Sequence, residues 1–366
     1  LELLTDLCYV VAIAQGASAL HHEITEGHTG HGLGYFAIGF FAIFWAWLNF
    51  AWFNSAYDND DVVHRVLSLM QILGSLVLAA GIPRLFEGDF TVVIAGYVVM
   101  RAALVVMWLR VSVGHPERRA TALGYVFGLI AVQIAWVVAL LATDGELGVW
   151  LFLALALADF AVPMAAESAG RTPWHPHHIA ERYGLLFLIV LGETILSVTL
   201  ALQGAFDEGH PPARLALVAV GGVLVTFSAW WLYFSRDGAH LLTGNDVAYV
   251  WGFGHFLIFG SAAAVGAGLA ARVDFYSESQ HHVSDLVSSA FVTGPVAIFL
   301  LTLWMLNIRL HDSTVRTWGP FALAIVAVVA VTWLPSSELW AGLVMAALLV
   351  VELRVANAAK SVVPHA

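Results

Sequence analysis

The sequence has little charge and a single cysteine. Charged residues make up 11% of its 366 positions. A soluble domain of this length must cover itself with polar side chains, and this chain has too few, so a soluble globule is excluded. Cys8 lies in an apolar run and cannot form an intrachain disulfide. A glycine-rich phosphate loop, an HExxH zinc motif and a Gly-x-Ser-x-Gly elbow are all missing, and nothing nominates a nucleophile. The chain is therefore expected to be no enzyme and to carry no cofactor. No basic patch is present for nucleic acid, and the formal net charge is −11, mainly from acidic loops. No cleaved signal peptide is expected, because Glu2 and Asp6 interrupt the first apolar segment and suit an anchor better. The chain opens at Leu1 already inside that segment, so some upstream residues are expected.

What the chain does have is apolar length. Hydrophobic residues reach 60%, and the mean hydropathy is +0.83. A membrane-spanning helix needs about 20 mostly apolar residues. About twelve such windows recur, at roughly 1–20, 33–53, 64–84, 91–113, 121–142, 148–168, 183–203, 212–235, 248–270, 286–307, 318–334 and 337–357. The loops between them are too short for a separate soluble domain. The expected fold is all-α, a polytopic helical bundle in a lipid bilayer. The last two windows flank Pro335 and read either as two spans or as a re-entrant hairpin.

Basic residues stay on the cytoplasmic side of a membrane. Loops after even-numbered windows, with the C-terminal tail, hold Arg65, Arg110, Arg118, Arg119, Arg171, Arg182, Arg236, Arg309, Arg316, Arg354 and Lys360. Loops after odd-numbered windows hold only Arg84, Arg214 and Arg272. Both termini are thus expected in the cytoplasm.

The two halves resemble each other. NDDVVHRVLSLMQILGS (Asn59–Ser75) aligns without gaps to NDVAYVWGFGHFLIFGS (Asn245–Ser261), and AWLNF (Ala46–Phe50) precedes the first as WWLYF (Trp230–Phe234) precedes the second. In the same order ELLTDLCYVVAIAQ from Glu2 corresponds to ERYGLLFLIVLGET from Glu181. A duplication with halves at 1–170 and 171–366 follows, each of six helices. Six is even, so the repeats would be parallel, a common transporter arrangement.

Charge inside a bilayer is costly, about 2.5–3.5 kcal/mol at a helix centre on insertion scales. The central charges are Glu193, Asp159 and Arg101, with Asp6 and Glu352 in the inner parts of their windows. Gln15, Asn49, Gln71, Gln133 and His255 are the neutral polar groups there. Arg101 can neutralise Asp159 or Glu193; the remaining carboxylate then needs a proton, a cation or water. A structural pair that fixes helix packing is the competing reading. Glu2, Glu181 and Arg182 mark the inner mouths of two windows. Arg110, Arg182, Arg236 and Arg354 are expected to snorkel to the headgroups, and Trp45, Trp47, Trp230 and Trp231 to be interfacial or packing aromatics. Gly192 would let another backbone approach beside Glu193. Gly260, Gly266 and Gly268 suit close helix contacts within the chain or in a homodimer.

The segment HHEITEGHTGHG (His21–Gly32) lies in a loop expected outside. Its His21, His22, His28 and His31 are candidate ligands for zinc, copper or nickel, with His22 and Glu26, or His28 and His31, at half-site spacing. A flexible glycine-rich loop without metal is the commoner reading of such a segment, and a pH-responsive cluster is a further alternative. His210, His281 and His282 fall in outer loops by the same topology.

LELLTDLCYVVAIAQ, WAWLNF, YDNDDVVHRVLSLMQ and HHIAERYGLLFLIVLGETI resemble, in order and along essentially the whole chain, the bacterial low temperature requirement A (LtrA) family. Family members commonly begin LELFFDLVFV; here Thr5, Cys8 and Tyr9 depart, while Glu2 and Asp6 are kept. The resemblance implies a polytopic bacterial membrane protein with family-like charged positions at Glu2, Asp6, Asp60, Glu181, Arg182 and Glu193, and it implies no substrate. The Glu2–Asp6 start is also similar to the first helix of two-repeat potassium channels. Leu4-Thr5-Asp6 stands where those carry Phe-Ser-Asp, and Leu185 stands where the second repeat would need its aspartate. Three functions are therefore expected to compete. The first is a proton- or cation-coupled carrier in the bacterial cytoplasmic membrane, moving a small solute or ion. The second is a cation channel. The third is a non-transporting scaffold or sensor.

Overall fold

Each apolar window becomes a helix in the computed structural model, which describes residues 1–207, 209, 212–277, 282–311 and 315–362. The first six helices are α1 (Glu2–Thr25), α2 (Thr29–Tyr57), α3 (Val62–Phe86), α4 (Thr91–Gly114), α5 (Arg119–Ala142) and α6 (Val149–Glu167). They are followed by α7 (Pro176–Asp207), α8 (Pro212–Phe234), α9 (Asn245–Ser277) and α10 (Asp285–Leu303). A π turn at Trp304–Ile308 extends α10, and α11 (Val315–Ala330) and α12 (Ser337–Val362) end the chain. No strand occurs among the described residues, and ten helices have the length and apolarity to cross a bilayer. Val113, Phe127, Leu141, Trp150 and Leu323 are each more than half exposed. That surface matches hydrocarbon rather than water, and the molecule is a multi-pass membrane bundle.

Helix ends follow local chemistry. Asp61 caps α3, its Oδ1 accepting the His64 N–H at 2.7 Å. Ser284 caps α10 through the Val287 N–H. Pro176 opens α7, where its missing N–H costs nothing. The seventh helix therefore starts seven residues before the apolar window, and Glu181 sits beyond its first turn. In the turn between α5 and α6 Gly145 takes φ +98°, a backbone state open to glycine, and its carbonyl accepts the Phe90 N–H at 3.0 Å.

The chain forms two compact units. One contains Leu1–Gly16 and Tyr35–Leu185, the other Ala17–Gly34 and Leu186–Ala366. In the first, α3 and α4 approach at Gly74 and Gly96: a Cβ on Gly74 would lie 2.8 Å from the Gly96 carbonyl oxygen. Phe41, Trp45 and Phe160 pack edge-to-face beside them. In the second unit, α9 lies against α10 at Gly268, where a Cβ would come within 2.1 Å of the Phe291 oxygen. Gly266 faces Thr194 of α7. These two glycines thus serve contacts within the chain. Gly192 does not: a Cβ there would meet nothing within 4 Å, and the close approach beside Glu193 is made one residue later, at Thr194.

The ninth helix is longer than its apolar window, because it continues past Arg272 to Ser277. Arg272 is consequently a buried helix residue and not a loop residue.

Candidate functional site

The first unit holds two buried charge clusters. Glu2 and Asp6 are four residues apart on α1, and His178 and Arg182 are four apart on α7, so each pair shares one helix face. The two faces meet. Arg182 Nη2 donates to Asp6 Oδ1 at 2.6 Å, and His178 Nε2 lies 3.0 Å from Glu2 Oε2. Arg182 Nη1 lies 3.4 Å from the same Glu2 oxygen. Trp47 of α2 closes the cluster, its indole N–H donating to Asp6 Oδ1 at 2.7 Å. Tyr183 stacks edge-on against Trp47 and accepts a hydrogen bond from Trp52. Asp6 is 0% and Arg182 2% exposed, which rules out snorkelling for that arginine. Asp6 Oδ2 and Arg182 Nε keep no hydrogen-bond partner.

The second cluster lies deeper in the sequence of helices. Arg101 of α4 donates through Nη2 to Asp159 Oδ1 of α6, and Trp136 of α5 donates to Oδ2 at 2.7 Å. Of the two carboxylates that Arg101 could neutralise, it pairs with Asp159. Tyr97 lies under the guanidinium, 5.4 Å from ring centre to Cζ. Both charged side chains are buried. Three helices are thereby tied through one carboxylate.

Glu193, in the second unit, is half-buried and accepts a hydrogen bond from Ser197 at 3.1 Å. Among the described residues no cation pairs with it. Glu181 is exposed and belongs to neither cluster.

The second unit also carries a charged centre that the apolar windows hide. Arg272 Nε donates to Glu338 Oε2 at 3.1 Å, and its Nη1 donates to Asp285 Oδ1 at 2.6 Å. Tyr276 also accepts from it. Arg272 and Glu338 are both 0% exposed. A signal was available: Glu338 opens an apolar helix, and a buried carboxylate there needs a cation.

The histidine segment divides. His28 and His31 both face Glu23, at 3.8 and 3.0 Å, while His21 pairs with Asp274 at 2.6 Å. His22 is exposed. Among the described residues no group of three metal-ligating side chains is placed to hold a metal ion. His210 and His281 lie outside the described residues.

Two other arginines are also paired with carboxylates. Arg110 forks onto Asp61, and Arg236 lies 3.8 Å from Glu352. Arg65 forks onto Asp60 at 2.8 Å through both nitrogens. The hydrogen bonds from Arg110 and from the His64 backbone hold the Asp61 carboxyl below the usual range, and Arg65 does the same to Asp60.

These features define a polytopic α-helical membrane protein whose interior is organised around arginine–carboxylate pairs. The chain belongs to the family described as Bacterial low temperature requirement A protein (LtrA), which matches residues 1–353. No curated protein and no solved structure matches it.

Proposed function

We propose that this LtrA protein is a proton- or cation-coupled secondary transporter of the bacterial cytoplasmic membrane, with both termini in the cytoplasm. One observation carries the reading. Asp6 and Asp159 each have an arginine, whereas Glu193, mid-way along an apolar helix, has only a serine hydroxyl. A carboxylate without a cation at that depth is the group that takes up a proton or ion. Glu193 therefore binds and releases the coupling ion. Arg101–Asp159 and Arg182–Asp6 hold the helices of the pathway in place, with Glu2 supporting Arg182. Glu181, being exposed, acts at the mouth. The protein transforms no substrate. Two parallel six-helix repeats, at 1–170 and 171–366, and a second copy as partner belong to the same reading.

The test is flux in proteoliposomes under an imposed pH gradient, with a panel of cations and small solutes. Wild type is compared with Glu193→Gln. Solute-dependent proton movement is expected in wild type and absent in the variant. Equal movement in both removes Glu193 from the mechanism. Absence of flux in folded protein transfers the assignment to a scaffold or sensor, and rates far above carrier turnover transfer it to a channel.

A further inference from the structure

A cavity of about 390 Å³ lies at the turn between α2 and α3. The last turn of α2, the first turn of α3 and the C-terminal end of α4 line it, all within the first unit. Its size suits a small molecule, since ligand pockets usually measure about 300–1,000 Å³. Its wall has two characters. Phe53, Met107 and Val111 are buried and give it an apolar surface. Asp58, Asn59 and His115 are exposed and give it a polar rim that reaches solvent.

His64 also lines the cavity, and its Nε2 lies 3.5 Å from Asp58 Oδ1. That is beyond the usual reach of an N–H···O bond, about 3.2 Å. Asp58 Oδ1 accepts the Asp60 N–H at 3.1 Å, which leaves most of the roughly four acceptor positions of a carboxylate open. A neutral imidazole carries one acceptor nitrogen as well. Two acceptors thus stand side by side at the edge of an apolar chamber. Charge favours a cation there over an anion. Arg110 lines the same cavity, but its guanidinium forks onto Asp61 and is neutralised. The second and fourth helices both end at this cavity, at Tyr57 and Gly114, and a helix C-terminus carries partial negative charge. A bare metal ion does not match, because among the described residues no group of three ligating side chains is placed to hold one. The apolar surface calls for an organic body, and the Phe53 ring suits a neighbouring cation.

We propose that this cavity binds a primary organic ammonium ion. The –NH₃⁺ group donates to Asp58 and to His64 Nε2, and the apolar body lies against Phe53, Met107 and Val111. A primary ammonium has three N–H donors, enough to serve both acceptors at once. A quaternary ammonium has none, and a carboxylate would meet Asp58 as a like charge. The site is separate from Glu193, and the inference does not depend on transport.

Equilibrium dialysis of the full chain in nanodiscs tests it, with empty nanodiscs subtracted to remove partition into lipid. The probes are butylammonium, hexylammonium and 2-phenylethylammonium at neutral pH, with 2-phenylethanol and phenylacetate as the neutral and anionic counterparts. Saturable binding of at least one ammonium, one per chain, is expected, and neither counterpart should compete with it. Asp58→Asn should weaken that binding about tenfold or more, the usual worth of a hydrogen bond to a charged group. The variant should fold, because Asp58 is exposed and asparagine still accepts the Asp60 N–H. Asp60→Asn, which removes a neighbouring carboxylate that does not line the cavity, should bind as wild type does. No saturable binding of any of the three ammonium ions overturns the proposal. Equal binding by wild type and Asp58→Asn overturns it too, as does competition by phenylacetate or 2-phenylethanol.

Discussion

Arg182 reaches from α7 to Asp6 on α1 across 2.6 Å, and neither side chain is more than 2% exposed. A pair this buried is expensive to break from one side. Removing one partner of a buried pair typically costs about 3–5 kcal/mol, because the other charge is left uncompensated. Pairs inside membranes lose less when the unfolded helices find other partners.

Arg182→Gln is therefore expected to lower the melting temperature in detergent strongly, and Asp6→Asn to do so less, since asparagine still accepts from Trp47. The double variant Asp6→Leu with Arg182→Met should recover most of the loss. Thermal unfolding followed by intrinsic fluorescence checks this, and a double variant no more stable than Arg182→Gln would show that the two charges are not coupled.

Gly268→Ala should destabilise the second unit by about 1–3 kcal/mol, the usual range for overpacking. The added Cβ meets the backbone oxygen of Phe291, which cannot swing aside as a side chain would. Gly192→Ala, placed in open space, should be neutral or slightly stabilising, as alanine is the better helix former. Melting temperatures of the two variants side by side separate a steric effect from a general intolerance of glycine replacement.

Acid should weaken the turn between α2 and α3. Asp60 and Asp61 have carboxyls depressed by Arg65 and Arg110. A depressed carboxyl contributes stability that is full above its unfolded value, about pH 4, and is lost as pH falls through its lower folded value. The loss thus begins below about pH 4. Both carboxylates face solvent, so the effect is small and salt-sensitive. Hydrogen exchange of the Asp58–Arg65 amides at pH 5 and pH 3 should show faster opening at the lower pH. The Asp61→Asn variant should respond less. An identical response in that variant would assign the acid sensitivity elsewhere.

The helices were readable because hydrophobic length is a one-dimensional property, and Thr91–Gly114 and Val149–Glu167 fall within a residue of their windows. Apolar windows fail where a helix runs on through charge. The window for α9 stops before Arg272, yet the helix continues because Glu338 and Asp285 neutralise that arginine in three dimensions. Pairing was legible only as a choice. Arg101 needed a central carboxylate, but which one depends on how α4 faces α6, and no spacing along the chain encodes that. The indole donors of Trp47 and Trp136 were hidden for a related reason. A tryptophan near a helix end looks the same whether its N–H meets a headgroup or a buried carboxylate.

The separation of the partners has a consequence for biosynthesis. Asp6 and Arg182 lie 176 residues apart, whereas Arg101 and Asp159 lie 58 apart. At about 5–20 residues per second, Asp6 waits roughly 9–35 s for its arginine to be made, and Arg101 roughly 3–12 s for its carboxylate. Throughout the longer interval five further helices must enter the bilayer beside an acid with no counter-ion. Its place in the second turn of α1 lets it wait near the headgroups, protonated or hydrated, until α7 arrives. Insertion of the seventh helix is thus the step at which the first unit becomes electrically complete. Chains arrested before Arg182 should be substrates for membrane quality control.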